Sequence, residues 1–319
     1  HLDRVPPRAE TRTDYTIVLG RDASASEQWA AQELRHWLKE VSGADFPVVT
    51  LEEPADAGAG GKGPPGPEIL VGVSARAREL LGAQFRPPPD DDEGFTYENI
   101  GPAVVIRGGR QRGTMYGVMS FLESELGLRW YTPRVAVAPK RDAWRFVSLK
   151  RTEQPGLRVR NDFYFEAFDP VWAARNRING AMNWREQQGG LDCYWGVHTF
   201  FPLLPPAEFF ERHPEYYSLI EGRRTHDRAQ LCLSNPDVLR LLTERLRKVM
   251  RENSNYRIYD VSQNDWRGAC QCEPCQAIAR REGSESGPVL WFVNQVAEAI
   301  EAEFPGKFVG TLAYQYTRK

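Results

Sequence analysis

The first half of the chain alternates short apolar runs with stretches at helical spacing. Tyr15-Thr16-Ile17-Val18-Leu19 stops at Gly20 and predicts a strand. Trp29, Ala30, Leu34, Trp37, Leu38 and Val41 then recur at helical spacing, with Ser24 and Ser26 as candidate caps and Gly43 as the stop. Val48-Val49 opens another extended piece, and Ile69 to Val73 reads as a buried strand. Between them, Gly58 to Pro67 is too rich in glycine and proline for regular structure and predicts a surface loop. Pro87 to Glu93 predicts a second, charged loop. Phe95-Thr96-Tyr97 and Ala103 to Ile106 read as a strand pair, and Val118, Met119, Leu122 and Leu126 mark a helix.

A second rhythm follows the prolines at 133, 139 and 155. Strands are expected over Leu157–Tyr164, Gly180–Trp184, Tyr256–Val261 and Lys307–Tyr314, and helices over Pro170–Arg177, Pro236–Arg251 and Pro288–Phe304. Alternating β and α with buried strands predicts an α/β protein with a parallel sheet. We therefore expect a small amino-terminal α/β domain (1–150) followed by a TIM-type (β/α) barrel (151–319). Eight barrel units need roughly 250 residues. Only four or five fit after residue 157, so the barrel is expected to be truncated within this sequence.

Composition narrows the partners. Lys and Arg number 41 against 43 Asp and Glu, a formal charge of −2, which gives no general attraction to nucleic acid or anionic lipid. No uninterrupted apolar window reaches membrane-spanning length. The sequence opens at His1 without Met or an apolar signal region, as expected of a processed chain or a fragment. Nine Trp, twelve Tyr and fifteen Phe, many beside polar residues, suit flat, partly apolar ligands such as sugars, or plain packing. The turn Gly108-Gly109-Arg110-Gln111-Arg112-Gly113 between strand and helix could cradle phosphate, but it lacks Gly-Lys-Ser/Thr, and a tight turn explains it better. Gly283-Ser284-Glu285-Ser286-Gly287 places Glu, not Ser, at the centre of an apparent nucleophile elbow.

Specific blocks carry a resemblance. Arg112 to Val118 and Leu126 to Pro133 resemble the end of the amino-terminal domain of family 67 α-glucuronidases and hexosaminidase-like enzymes. His213-Pro214-Glu215-Tyr216-Tyr217-Ser218-Leu219, Gln230 to Pro236, Val261-Ser262-Gln263-Asn264-Asp265, Cys270-Gln271-Cys272-Glu273-Pro274-Cys275 and Thr311 to Tyr316 resemble the bacterial domain-of-unknown-function family 4838. The resemblance implies a glycosidase-like barrel, a carbohydrate substrate and a secreted or periplasmic bacterial protein.

Glycoside hydrolysis needs two carboxyl groups across the scissile bond. Asp265 closes a predicted strand, where a general acid would sit, although the resembled enzymes use Glu there; capping is the alternative role. Glu166 and Asp162 are weaker catalytic candidates, and the resemblance places the base beyond Lys319, which would leave this chain inactive alone. Asn161, Trp184, Trp195, His198, Gln263, Asn264, Tyr314 and Tyr316 are candidate sugar contacts. A non-catalytic carbohydrate-binding barrel is the alternative, and a nucleotide-binding protein a third. No cofactor is required for hydrolysis. Cys232 with Cys270, Cys272 and Cys275 could form a structural zinc site or disulfides, with Cys193 left over.

Overall fold

The structure is a computed structural model of the chain, and it describes residues 13–51, 66–141, 146, 148–180, 186–190 and 194–318. The chain packs as two compact units that divide after residue 191. The sequence punctuation near residue 150 falls inside the first of them, because strand 150–153 joins the first sheet.

The first unit contains β1 (Thr16–Gly20), α1 (Ala25–Ser42), β2 (Val48–Leu51), β3 (Glu68–Val71), α2 (Ala75–Leu81), β4 (Phe95–Ile100), β5 (Ala103–Gly108), α3 (Gly113–Leu126), β6 (Arg129–Thr132), β7 (Val135–Val137), β8 (Lys150–Glu153) and α4 (Pro170–Arg175). Six strands form a mixed sheet in the order β2-β1-β3-β5-β4-β8. β2, β1, β3 and β5 run parallel, while β4 is antiparallel to both β5 and β8. Both faces of its centre are covered, which is why these strands read as continuous apolar runs. Ile17, Leu19, Ile69, Val71, Val104 and Ile106 pack with residues of α1 and α3, and the alternating Val18, Leu70 and Val105 pack with Ala77 and Leu81 of α2. At the start of α1, Ser24 accepts from the Glu27 N–H while Glu27 accepts from the Ser24 N–H, a reciprocal cap that fixes the helix entry. Most of the expected 58–67 loop lies outside the described residues.

Residues 157–164 are not a strand. Their backbone finds partners in turns and side chains instead of a neighbouring strand: Asn179 accepts from the Arg160 N–H (2.7 Å) and donates to the Arg158 carbonyl (2.7 Å), and the Arg160 carbonyl accepts from the backbone N–H groups of Asn179 and Gly180. Leu157, Phe163 and Tyr164 remain exposed. The strand expected over 180–184 falls almost wholly outside the described residues.

The second unit contains β9 (Tyr194–Trp195), α5 (Phe200–Leu203), α6 (Pro206–Phe209), β10 (Leu219–Ile220), β11 (Arg223–Arg224), α7 (Pro236–Glu252), β12 (Ile258–Asp260), α8 (Glu273–Glu282), α9 (Gly287–Ile300) and β13 (Phe308–Gly310). Among the described residues β13, β12 and β9 make a three-stranded parallel sheet and β10 and β11 a hairpin, with no closed barrel. Three paired strands cannot close a cylinder that takes eight. Val238, Leu242, Leu246 and Met250, one face of α7, pack with Tyr259, Val261, Phe292 and Val296 in the core of this unit. The last strand ends at Gly310 rather than Tyr314, because residues 315–318 turn back as a short 3-10 helix. Thr317 holds that turn by donating to Gln263 Oε1 (2.7 Å).

Candidate functional site

The three parallel strands present their carboxyl ends on one edge, the place where α/β sheets build their sites. β12 continues there into Val261-Ser262-Gln263-Asn264-Asp265, β9 into Gly196-Val197-His198-Thr199, and β13 into the 311–318 turn. Asp265 lies exposed on this rim and accepts a hydrogen bond from Gln315 Nε2 (2.9 Å).

The preceding amides build the rim rather than face solvent. Gln263, fully buried, donates to the Tyr314 carbonyl (2.6 Å) and accepts from Thr317. Asn264, also buried, accepts from the Phe201 N–H (3.2 Å) and donates to the Ala229 carbonyl (2.9 Å). Its own backbone N–H donates to Gln230 Oε1 (2.8 Å), and Gln230 Nε2 donates to the carbonyls of Asn264 (3.1 Å) and Trp266 (2.7 Å). Asp265 is therefore carried on a loop with little freedom to move.

His198 is half-buried, with a left-handed backbone at φ +56°. Its N–H donates to Ser262 Oγ (3.0 Å), and its Nδ1 lies 2.7 Å from the Gln263 carbonyl. A carbonyl can only accept, so Nδ1 carries the proton and Nε2 of the neutral ring is an acceptor. The ring lies 5.6 Å from that of Tyr314, and the Arg318 guanidinium sits over the Tyr314 ring at 5.9 Å. The structure thus brings His198, Gln263, Tyr314 and, through Gln315, Asp265 to one edge. Trp195 and Tyr316 instead pack against the core of the unit. Burial, with the nearby Glu285 adding to it, pushes the Tyr316 phenol up.

Asp260, unremarked in the sequence reading, is the most perturbed carboxyl of this edge. It is fully buried and accepts from Tyr194 Oη (3.0 Å), Thr199 Oγ1 (3.4 Å) and Ser262 Oγ. Burial pushes its pKa up to about 6, against the opposing pull of these hydroxyls. The available signal was an acid inside the apolar run Ile258-Tyr259-Asp260-Val261.

Asn161, Asp162 and Glu166 belong to the first unit. Asn161 is exposed, Asp162 Oδ1 accepts from the Tyr164 N–H (3.0 Å) in a local turn, and Glu166 sits half-buried in the 3-10 turn Phe165–Phe168. Trp184 and Cys193 lie outside the described residues. The Gly108–Gly113 turn is a steric device: a Cβ on Gly108 would lie 2.4 Å from the Gly113 carbonyl carbon, and one on Gly109 would lie 2.1 Å from the Asp92 carbonyl oxygen.

Cys232, Cys270, Cys272 and Cys275 converge with all four Sγ atoms within 4.8 Å of one another. All four are buried and none is paired in a disulfide. Cys232 Sγ lies 3.6 Å from Cys272 Sγ and 4.0 Å from Cys275 Sγ. The Leu219 N–H donates to Cys270 Sγ (3.3 Å), Arg224 Nη1 lies 3.7 Å from the same sulfur, and Ser234 Oγ lies 3.1 Å from Cys275 Sγ. Hydrogen bonds from Cys270 and Cys275 pull the Cys232 thiol down, and that same contact holds the proton on Cys275.

The chain belongs to the family described as Domain of unknown function (DUF4838), whose model matches residues 130–319. Its fold is similar to that of glycoside hydrolases of known structure. A family GH115 4-O-methyl-α-glucuronidase with specificity for decorated arabinogalactans superposes with a TM-score of 0.51 at 12% identity, covering 97% of this chain and 43% of that one. The Flavobacterium johnsoniae chitobiase gives 0.47 at 11% identity, covering 95% of this chain and 50% of that one. The GH20 β-N-acetylhexosaminidase from Streptomyces coelicolor A3(2) gives 0.47 at 13% identity, covering 93% and 61%. The chain spans less than two thirds of the length of each of these structures. No curated protein matches the sequence. No helix among the described residues is long and apolar enough to cross a membrane.

Proposed function

We propose that this chain forms part of a secreted or periplasmic glycoside hydrolase, with the carboxyl edge of the β9–β12–β13 sheet facing the glycan and Asp265 as general acid. The observation that carries this reading is the exposed carboxylate of Asp265, held by Gln315 on a braced loop at the end of the central parallel strand. The fold shared with the glucuronidase supports a carbohydrate substrate. The expected barrel belongs to the same reading, β9, β12 and β13 being strands of its wall. His198 and Tyr314 offer an imidazole and an aromatic face to sugar hydroxyls and to a sugar ring. The buried cysteines, away from solvent, take a structural part as a metal site.

The alternative is a glycan-binding protein without turnover. One observation favours it: Asp260, the other carboxylate of this strand, is buried and engaged by three hydroxyls, whereas hydrolysis requires a pair.

Asp265→Asn in the full-length natural protein separates these readings, assayed on a glycoside panel and by glycan-binding calorimetry. A general acid predicts turnover lower by about 100-fold or more, with affinity kept. Wild-type binding without turnover would establish the alternative. Turnover unaltered by the substitution would remove Asp265 from the chemistry.

A further inference from the structure

We infer that Cys232, Cys270, Cys272 and Cys275 bind one zinc ion as a tetrathiolate, and that this ion is the clamp on the loop that carries Asp265. This deepens the reading of the cysteines as a structural metal site and is independent of the glycosidase chemistry, since the ion can be counted without any activity.

Geometry selects a single ion. Zn–S bonds of about 2.3 Å in a tetrahedron put the sulfurs about 3.8 Å apart. The Cys232–Cys272 and Cys232–Cys275 separations of 3.6 and 4.0 Å bracket that value. A two-iron cluster would separate its thiolate pairs by the added iron–iron distance, whereas all four sulfurs here fall within 4.8 Å. Disulfides need about 2.05 Å between paired sulfurs. Among the described residues no carboxylate or imidazole joins this group, and an all-thiolate set selects a soft or borderline ion.

The surroundings suit the charge. Four thiolates around Zn²⁺ carry a net −2, which a buried site must offset with donors. The Leu219 N–H and the Arg224 guanidinium face Cys270, and the Ser234 hydroxyl faces Cys275. The ligands also come from separate segments. Cys232 follows the buried stretch 229–231, Cys270 and Cys272 precede α8, and Cys275 lies in its first turn. Between the cysteines and the rim, Gly268 accepts from Ser218 Oγ (2.8 Å) and from the Gln230 N–H (3.2 Å). Gln230 in turn holds Asn264 and Trp266. An ion that joins residues 232 and 270 therefore ties the 229–232 segment to the stretch 264–270 on which Asp265 sits.

The test is metal analysis of the natural full-length protein, purified without an affinity tag, with hydrogen exchange before and after chelation. One zinc per chain is expected. The Cys193→Ser control should keep it, and Cys232→Ser and Cys272→Ser should each lower occupancy to a small fraction. Cobalt replacing zinc should give the intense visible bands of a tetrahedral tetrathiolate. Chelation should increase exchange at residues 263–268. Should Cys232→Ser fail to fold, reversible chelation of the wild type supplies the same readout. Four titratable free thiols in a folded protein devoid of metal would overturn the inference. So would a mass deficit of two hydrogens per disulfide, or iron in place of zinc. Zinc removal without change at 263–268 would overturn the clamp.

Discussion

Asp260 shows how one side chain can set the pH behaviour of a unit. Its folded pKa of about 6 stands above the ordinary value of 3.8 because burial penalises the charge more than three hydroxyls reward it. The folded state thus holds the proton more tightly than the unfolded state. The carboxyl costs stability in full above about pH 6, and that cost disappears as pH falls toward 4. The difference is worth about 3 kcal/mol at neutral pH. Asp260→Asn should flatten the dependence of the urea midpoint on pH between 4 and 6, and should leave the protein at least as stable at pH 7. A slope that persists would assign the titration to another group.

At the scale of elements, the strand-to-helix turn before α3 illustrates a motif whose chemistry was steric. Carbonyl oxygens of Asp92 and Gly94 fill the space beside Gly109 and Gly113. Anion-binding turns need that space free for phosphate. Gly108→Ala should lower stability by about 1–3 kcal/mol, because its Cβ would meet backbone that cannot yield; thermal denaturation reads this. ATP and NAD should leave the wild-type melting temperature unchanged. Helices α1, α3, α4, α7 and α9 were legible in the sequence because their cues are local: a capping Ser24, Pro236 at the entry of α7, and apolar residues four apart along α7; α2, α5, α6 and α8 were not expected. The strand expected over 157–164 failed for the opposite reason. A strand exists only where a neighbour accepts its hydrogen bonds, and alternation in Leu157-Arg158-Val159-Arg160 carries no information about a neighbour. The two-residue strands β9, β10 and β11 were likewise invisible, being too short for any period to register.

At the scale of the molecule, residues far apart in sequence meet around one buried charge in the first unit. Glu93 accepts from Arg112 Nε (2.6 Å), from Arg160 and from Asn179 Nδ2 (2.9 and 3.0 Å), while Arg112 Nη1 donates to the Gly189 carbonyl (2.9 Å). Arg112 and Glu93 are only 2% and 6% exposed, so salt cannot screen them. Glu93→Gln should cost about 3–5 kcal/mol by removing the carboxylate charge that both Arg112 and Arg160 engage, and urea denaturation in low and high salt should give the same loss. A loss that vanishes in high salt would mean the pair is wetter than its burial indicates.

The sequence by itself determined the α/β character of the chain, helices α1, α3, α4, α7 and α9, the cap of α1, the central strands and the set of residue types available for chemistry. It also singled out the four cysteines and Asp265, because close spacing and position after a strand are written in the chain. Only the tertiary structure decided what those residues do for one another. It joined Cys232 to a cluster thirty-eight residues away, turned Gln263 and Asn264 inward to brace the rim, and buried Asp260 so that its pKa is raised. Among the described residues it paired three parallel strands, β13, β12 and β9, without closing them into a barrel. The division has a physical cause. Caps, turns and amphipathic periods are governed by neighbours within a few residues. Strand pairing, burial of a carboxyl and convergence of thiols depend on which distant segments meet, and only the folded chain determines that.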